Sequence, residues 1–540
     1  MTEQDDETDE VIRGRASVLM YADKHGMKDK DIRKHLLALH PDNDPFYIPQ
    51  RWQEKHAVWF AEVFKQRAEE TGDDEVNPRG EHYYAYAKNL MDWDGEPYLN
   101  ENKWTKRTTD ASKFARYMGL IDYDAIVDAK NPPPQIHRRY GRLKYNIDTD
   151  TDDKEIELPN IKYADGIYCK IDIDRWVRSE ADKYKEIITA DMGVFPDDLQ
   201  PYHTELFIEK TDHDRILDPI CAKYLTNYQA FKGEGSLKAV TLLMERIEHV
   251  NKPVLIFYIS DFDGKGEHMP TAFARKIEFL VRSKGVDKDI KLKPIALLPW
   301  QVKEYKLPRR PIKDGDKSKK KFEKKHGKGA VELDALEGIC PGEFKKIVEN
   351  ALKPYFDENI VSAAYEKIDE VNSEIYNRAI TALTDKSLFE EIKYLNSLID
   401  KHEDIEAPYQ NSIDELYDEL DRKREELKAP YLAKIQAIED EMEAECKKLE
   451  APYNTRINEI EEKKADAIES TEAEIDEKYQ DILNALPDID LSDIDEEFVK
   501  PESDVSPIEG DEWLYDSSLS YFDQLKRYKN VATIENGDAC

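Results

Sequence analysis

ELFIEK at 205–210 and KPVLIFYISDFDGKGEHMP at 252–270 decide the reading of this chain, with FKGEGSLKAV at 231–240 between them. Each of the two outer runs is apolar and stops on acid. The first ends at Glu209; the second, Val254 to Ile259, passes into Asp261-Phe262-Asp263-Gly264. Short unbroken apolar runs of this kind fit strands buried on both faces of a sheet. In open α/β folds the polar ends of such strands converge on one edge, where ligands bind. Asp261 and Asp263 can bend toward a shared point if the strand gives way to a loop there. Glu209 makes a third carboxylate, and three hard oxygen donors suit Mg2+. A strand-terminal Asp also serves as a helix N-cap or turn residue, and a lone Asp-x-Asp is open to that reading.

The length of 540 residues accommodates two or three domains. Hydrophobic residues make up 40%, with 30 Tyr and 17 Phe, enough for a substantial core. The five cysteines (Cys169, Cys221, Cys340, Cys446, Cys540) form no C-x-x-C pair, and their scatter fits a reducing, cytoplasmic setting. MTEQDDETDE at the start is acidic and reads as a disordered N-terminus (1–10) rather than a signal peptide. No stretch of about eighteen apolar residues points to a membrane.

A net charge of −36 argues against nucleic acid until its distribution is considered. Residues 1–10 carry −6, 401–500 carry −19 and 501–540 carry −6, leaving 11–400 near −5 and free to bear a basic face. RRPIKDGDKSKKKFEKKHGK at 309–328 holds ten Lys or Arg against three acids. Arg309, Arg310, Lys313, Lys317, Lys319, Lys320 and Lys321 are its candidate phosphate contacts; a solvated loop is the alternative.

Glu at one strand end and Asp-x-Asp at another resemble the Toprim fold of topoisomerases, primases and some nucleases. The resemblance is closest to the A subunit of topoisomerase VI, the meiotic double-strand-break transesterases and the phage and plasmid homologues called topo mini-A. ALLPWQVKEYKLPRRPIK (296–313) and GKGAVELDALEG (327–338) look like the segments that follow the Asp pair in phage relatives. The resemblance covers roughly residues 78–355 and implies a Toprim domain over 201–355. Pro270 to Leu307 should complete it, with a helix at 271–284 and a strand at 291–298.

Residues 11–75 read as helical, with a turn at Gly26 and an amphipathic helix over 51–70. A further helix runs from about Trp104 and stops at Gly119. KFARYMGLIDYDAIVDAKN (113–131) resembles the stretch closing the winged-helix half of the mini-A relatives, which implies a helical and winged-helix (CAP-like) DNA-binding domain over 11–134. In that family an Arg four residues before a Tyr marks the catalytic tyrosine. Arg79 and Tyr83 have that spacing, with Tyr84 as second choice and Tyr86 nearby. Gly80-Glu81-His82 departs from the family's more apolar trio, and Tyr83 and Tyr86 also read as core aromatics sharing a helix face.

Residues 135–200 read as a connector or insertion with a few strands. From about 341 the pattern is helical. Ala-Pro-Tyr recurs at 407–409, 429–431 and 451–453, a period of 22, or twice eleven, typical of long, nearly straight helices. Apolar residues at three-to-four spacing among Glu, Lys and Asp give a coiled-coil arm over 356–485, either one kinked rod or an antiparallel bundle. Residues 486–540 read as an acidic, largely disordered tail, with 511–530 aromatic enough for a short docking helix.

The fold class is thus multidomain α+β and α/β: a helical, winged-helix N-terminal domain, a Toprim α/β domain and a long C-terminal helical arm. The resemblance implies Mg2+-dependent cleavage of double-stranded DNA by a tyrosine, with Glu209, Asp261 and Asp263 on the metal. Glu209 would be a ligand or a proton-transfer group. It also implies a homodimer in which one subunit's tyrosine meets the other's metal site, a type IIB topoisomerase arrangement that the coiled coil could support. The chain has no G-x-x-x-x-G-K-[ST], so ATP-driven work requires a separate ATPase subunit, or another partner on the arm. Two alternatives stay open: a Toprim nuclease using water, and a non-catalytic DNA clamp acting through the arm.

Overall fold

The computed structural model describes residues 12–41, 43–47, 50–100, 102–127, 131–138, 145–148, 154–163, 167–190, 199–210, 212–231, 236–316, 318–428, 439–487, 503, 505, 508 and 512–534. The acidic N-terminus at 1–10, Lys317 and most of 488–511 lie outside them. The chain divides into two compact units. One comprises 1–142, 193–360 and 502–540; the other comprises 143–192 and 361–501.

The first unit is built on a five-stranded sheet. The short antiparallel pair β1 (Tyr145–Ile147) and β2 (Ile188–Ala190) belongs to the second unit, and the strands of this sheet are β3 (His203–Ile208), β4 (Asn227–Ala230), β5 (Val254–Ile259), β6 (Ile290–Ala296) and β7 (Tyr515–Asp516). Their order is β4-β3-β5-β6-β7; the first four run parallel and β7 closes the edge antiparallel. Every residue of β3 and β5 is buried. The apolar runs supply two cores at once. Leu206, Ile208, Leu255, Phe257 and Ile259 enter one, while Phe207, Val254, Ile256 and Tyr258 enter the other. Alternation across the pleat is why residues 206–208 and Val254–Ile259 carry no polar residue, while the polar start of β3 is answered internally, Glu205 pairing with His203 and Arg246.

Helices Asp214–Lys223, Leu333–Ile339 and Glu343–Leu352 supply residues to the first core. Helices Leu237–Arg246 and Met269–Lys284 join the second, together with the N-terminal helices Arg15–Lys24, Arg51–Thr71 and Asn102–Tyr117. The expected helix at 271–284 and strand at 291–298 are thus present with slightly earlier starts. The helix expected to stop at Gly119 ends at Tyr117, and Gly119 takes φ 68°, the left-handed turn that glycine supplies without strain. Helix Pro78–Ala87 lies between Arg51–Thr71 and Asn102–Tyr117, with single bridges at Val76–Ile126 and Met91–Pro97.

In the C-terminal segment the ordered part coincides with the aromatic stretch 511–530 that the sequence offers as a short docking helix. Residues 512–534 return to the sheet as β7 and helix Tyr521–Ile534. Trp513 is 1% exposed, with its ring 6.1 Å from that of Phe257. Burying aromatics of this size outweighs the acidic character of the flanking chain, which composition alone weighted too heavily.

In the second unit, helix Ile360–Leu383 leads to Lys386–Lys428 and Glu439–Asn484. The last two form an antiparallel pair. Arg424 meets Glu450, Lys464 meets Glu406 and Lys478 meets Glu391, so partners recede along one helix as they advance along the other. Leu416, Leu420, Tyr453 and Ile457 fill the seam. Pro408 and Pro452 lie inside continuous helices rather than at breaks, and Pro430 falls outside the described residues. Residues 143–192 belong with this arm, not with a connector between sheet and N-terminal helices. The Asn372 side chain bonds both backbone groups of Ile188, and Asn396 does the same for Ile171. Each amide substitutes for a neighbouring strand, satisfying a donor and an acceptor together.

Candidate metal centre and its basic flank

β3 is the first strand of the parallel set, β4 the second and β5 the third. The order β4-β3-β5-β6 therefore places a topological switch point between β3 and β5, where open α/β sheets form a ligand crevice beyond the strand ends. Glu209 and Asp261 occupy those ends. The Glu209 amide donates to the Ile259 carbonyl (3.0 Å), extending the ladder by one residue. The Asp261 amide donates to Glu209 Oε2 (3.3 Å). Asp261 Oδ1 accepts the Leu333 amide (2.8 Å) and lies 3.5 Å from Lys210 Nζ. Asp263 Oδ1 accepts the Lys265 and Gly266 amides, each at 2.8 Å, so Asp263 does shape a turn as well.

Burial, with Asp261 and then Asp263 facing it, pushes the Glu209 carboxyl up to about 7. Asp261 is also raised, by burial first, with Asp263 and Glu332 adding to it against the Leu333 amide and Lys210. Carboxyls driven toward neutrality by one another form a donor set that a cation relieves. Glu209 Oε1, Asp261 Oδ2 and Asp263 Oδ2 have no hydrogen-bond partner among the described residues. The hard-oxygen chemistry fits Mg2+. Among the described residues, no three Asp, Glu, His or Cys side chains already close on one point as a metal cage.

The glycines after the Asp pair do more than permit a bend. A Cβ on Gly266 would fall 1.9 Å from the Asp261 carbonyl oxygen. A Cβ on Gly264 would fall 2.2 Å from Ser318 Oγ and 2.6 Å from Ser318 Cβ. Gly264 therefore lets the start of helix Lys319–His326, the heart of the basic run, sit directly on the acidic loop. Phe262 packs edge-on to Phe322 and against His326, each at 5.0 Å, and bridges Val331 through paired backbone bonds.

That basic run divides in two. Arg309 donates to the Gly327 and Gly329 carbonyls and lies over the Phe262 ring, Arg310 pairs with Glu332, and Lys319 bonds Asp314 and the Ile312 carbonyl. These three help to hold the loop together, and each keeps further N–H donors beyond those contacts. Lys313, Lys320 and Lys321 are exposed, with no partner among the described residues.

Arg79, Tyr83 and Tyr86 fall at i, i+4 and i+7 of helix Pro78–Ala87 and share one face. Tyr83 is 54% exposed and Tyr86 44%, so neither is a core aromatic. The atypical Glu81 and His82 point inward instead: Glu81 pairs with Arg67 (2.9 Å), and His82 meets the Tyr98 hydroxyl and Asn100. Tyr84 is half-buried under Lys88. Burial and the neighbouring Glu70 raise its phenol, the wrong direction for a nucleophile. No hydrogen bond, ion pair or ring contact among the described residues joins Tyr83 or Tyr84 to the three acids.

Lys210 and Asp334 escaped the sequence reading. Lys210 spans from Asp261 to Asp334 (2.6 Å), and His213 lies 3.5 Å from Asp334. The signal was available: Lys210 follows Glu209 directly, and Asp334 lies in GKGAVELDALEG. No family model matches this chain, and no curated protein does.

Proposed function

We propose that the chain is a topoisomerase VI A-like, Mg2+-dependent DNA-cleaving protein whose Toprim-type site is formed by Glu209, Asp261 and Asp263. The observation that carries this reading is the meeting of Glu209 and Asp261 at the ends of adjacent parallel strands flanking the switch point, with Asp263 close enough to raise Glu209. Bound Mg2+ would stabilise negative charge on the phosphate and on the departing oxygen.

Tyr83 is the nucleophile in this reading. Its oxygen forms a bond to a backbone phosphorus while the bond from phosphorus to the 3′ oxygen breaks, leaving the protein on the 5′ phosphate. The phenolic proton must go to a base and the 3′ oxygen must gain one. Glu209 would serve there either as a ligand of the metal or as the group for such a transfer. Arg79, one turn before Tyr83 on the same exposed face, supplies positive charge that favours phenolate and phosphate alike. Because the described contacts do not bring Tyr83 to the acids, the reaction calls for a homodimer in which each tyrosine serves the partner's metal. Leu416, Leu420, Tyr453 and Ile457 of the arm pack against one another within the chain. Lys313, Lys320 and Lys321 would neutralise phosphates of double-stranded DNA; Lys317 belongs to the same stretch. Strand passage would need a separate ATPase subunit.

Supercoiled plasmid is incubated with the protein and Mg2+, quenched with SDS and run with and without proteinase K. Linear DNA that enters the gel only after protease, and is lost in Tyr83→Phe and Asp261→Asn but kept in Tyr84→Phe, is the expected result. Free-ended cuts indifferent to both tyrosines would instead establish a water-using nuclease. Retained gel shift without cutting would make the chain a DNA clamp.

A further inference from the structure

Beside the acids, on the β6 side, lies a cavity of about 360 Å3 bounded by the loop after β5, the end of β6, the basic helix Lys319–His326 and the returning C-terminal segment. That volume falls in the range of small-ligand pockets, on the order of 300–1,000 Å3. Its walls differ in chemistry. One is apolar, made by Leu297, Leu298, Pro299 and the Tyr528 ring. The other carries cations, Lys321 and Lys324, which are exposed and have no partner among the described residues. Deeper in, Lys325 and His326 are already committed to Glu267, at 2.5 and 3.1 Å. Asp261, the other acid at the cavity, is held by the Leu333 amide and Lys210. Glu267 is therefore answered by its own partners and Asp261 is engaged through Oδ1 alone, while Lys321 and Lys324 have no partner among the described residues. Between the walls opens the first turn of helix Met269–Lys284, with Pro270 and Thr271 on the lining. In this turn Pro270 has no N–H and the Met269 and Ala272 amides already bond the Lys265 and His268 carbonyls, which leaves the Thr271 amide at the positive end of the helix dipole.

We propose that this cavity binds a nucleoside phosphate, its phosphates at Lys321, Lys324 and the turn at Thr271, its base against Leu297, Leu298 and Pro299. A bare phosphate would leave the apolar wall unused, and a sugar phosphate would place hydroxyls against groups that cannot bond them. The site is separate from the cleavage reading, although Asp261 borders both and Lys321 is also assigned to DNA phosphates there. It is therefore measured without DNA and in chelator.

Equilibrium dialysis of the full chain is carried out with each of the four ribonucleoside triphosphates, and bound nucleotide is competed with the parent nucleoside and with pyrophosphate. Lys321→Glu, Lys324→Glu and Lys328→Glu are compared, the last an exposed lysine of the same basic run that does not line the cavity. Saturable binding of at least one nucleotide is expected. Each lining variant should weaken it by about tenfold or more, and the Lys328 variant by less than about twofold. Nucleoside and pyrophosphate alone should compete at least about tenfold less well than the nucleotide. Absence of saturable binding, equal loss in the Lys328 variant, or pyrophosphate competing as well as the nucleotide would each overturn the assignment.

Discussion

Glu209 carries the sharpest pH signature in the candidate centre. Its carboxyl is raised from 4.5 to about 7 in the folded chain, so between those values the folded state holds a proton that the unfolded state has released. Stability must then fall as pH rises from 4.5 through 7, because folding strands a charge among like charges. Glu209→Gln keeps the shape and removes the charge. In chelator near pH 8 this variant should be more stable than the parent by about 2 kcal/mol, allowing for solvent screening. Near pH 4 the two should coincide, since both then carry a neutral group. Adding Mg2+ at the higher pH should raise the parent's melting temperature and leave the variant's nearly unmoved, as ligand linkage requires. Denaturant titrations across this range check the point; curves that stay parallel for parent and variant would remove the mutual repulsion on which the metal reading rests.

At the scale of elements, what was legible was what neighbours in sequence determine. β5 occupies the apolar run Val254–Ile259 end to end, and the turn at Gly119 follows from glycine's tolerance of positive φ. The role of Gly264 was not legible, because Ser318 lies more than fifty residues away and nothing local announces it. The packing makes a definite prediction. Gly264→Ala drives a methyl into Ser318 and should cost about 1–3 kcal/mol by overpacking. Ser318→Gly removes the two atoms struck first, leaving Phe322 Cβ at a tolerable 3.3 Å, so the double variant should recover most of that loss. Urea denaturation of the two single variants and the double checks this. A penalty that Ser318→Gly leaves untouched would mean that Gly264 serves the loop's own backbone and not the seating of the basic helix. The arm shows the same division: the period of 22 announced long helices, while the choice of hairpin over rod is made by cross-helix pairs such as Arg424–Glu450.

Across the first unit as a whole, the feature least visible in the sequence is the one that ties its distant parts together. Arg275, fully buried on helix Met269–Lys284, bonds Asp44 from the N-terminal helical region (3.2 Å), Glu278 of its own helix (2.7 Å) and the Tyr521 hydroxyl of the C-terminal segment (2.6 Å). That hydroxyl donates in turn to the Leu36 carbonyl (2.6 Å), and Tyr528 reaches Glu278. Asp44 also caps the amides of Ala38, Leu39 and Phe46, which fixes it to receive the guanidinium. Partners separated by more than two hundred residues carry no local signal, so composition suggested a largely disordered acidic tail with at most a short docking helix where the fold has a structural strap. The energetics discriminate between the two. Arg275→Ala leaves the buried Asp44 without its cation and Glu278 with Arg282 alone, and breaking such a buried pair costs on the order of 3–5 kcal/mol. Tyr521→Phe keeps the ring edge-on to Phe46 and loses only its hydrogen bonds, for about 1–3 kcal/mol. A disordered tail would give no loss for Tyr521→Phe at all. Denaturant unfolding of both variants therefore decides whether the last segment is part of the folded unit: a measurable cost at Tyr521, smaller than that at Arg275, is expected, and a Tyr521 variant indistinguishable from the parent would detach the C-terminal strand and helix from the fold.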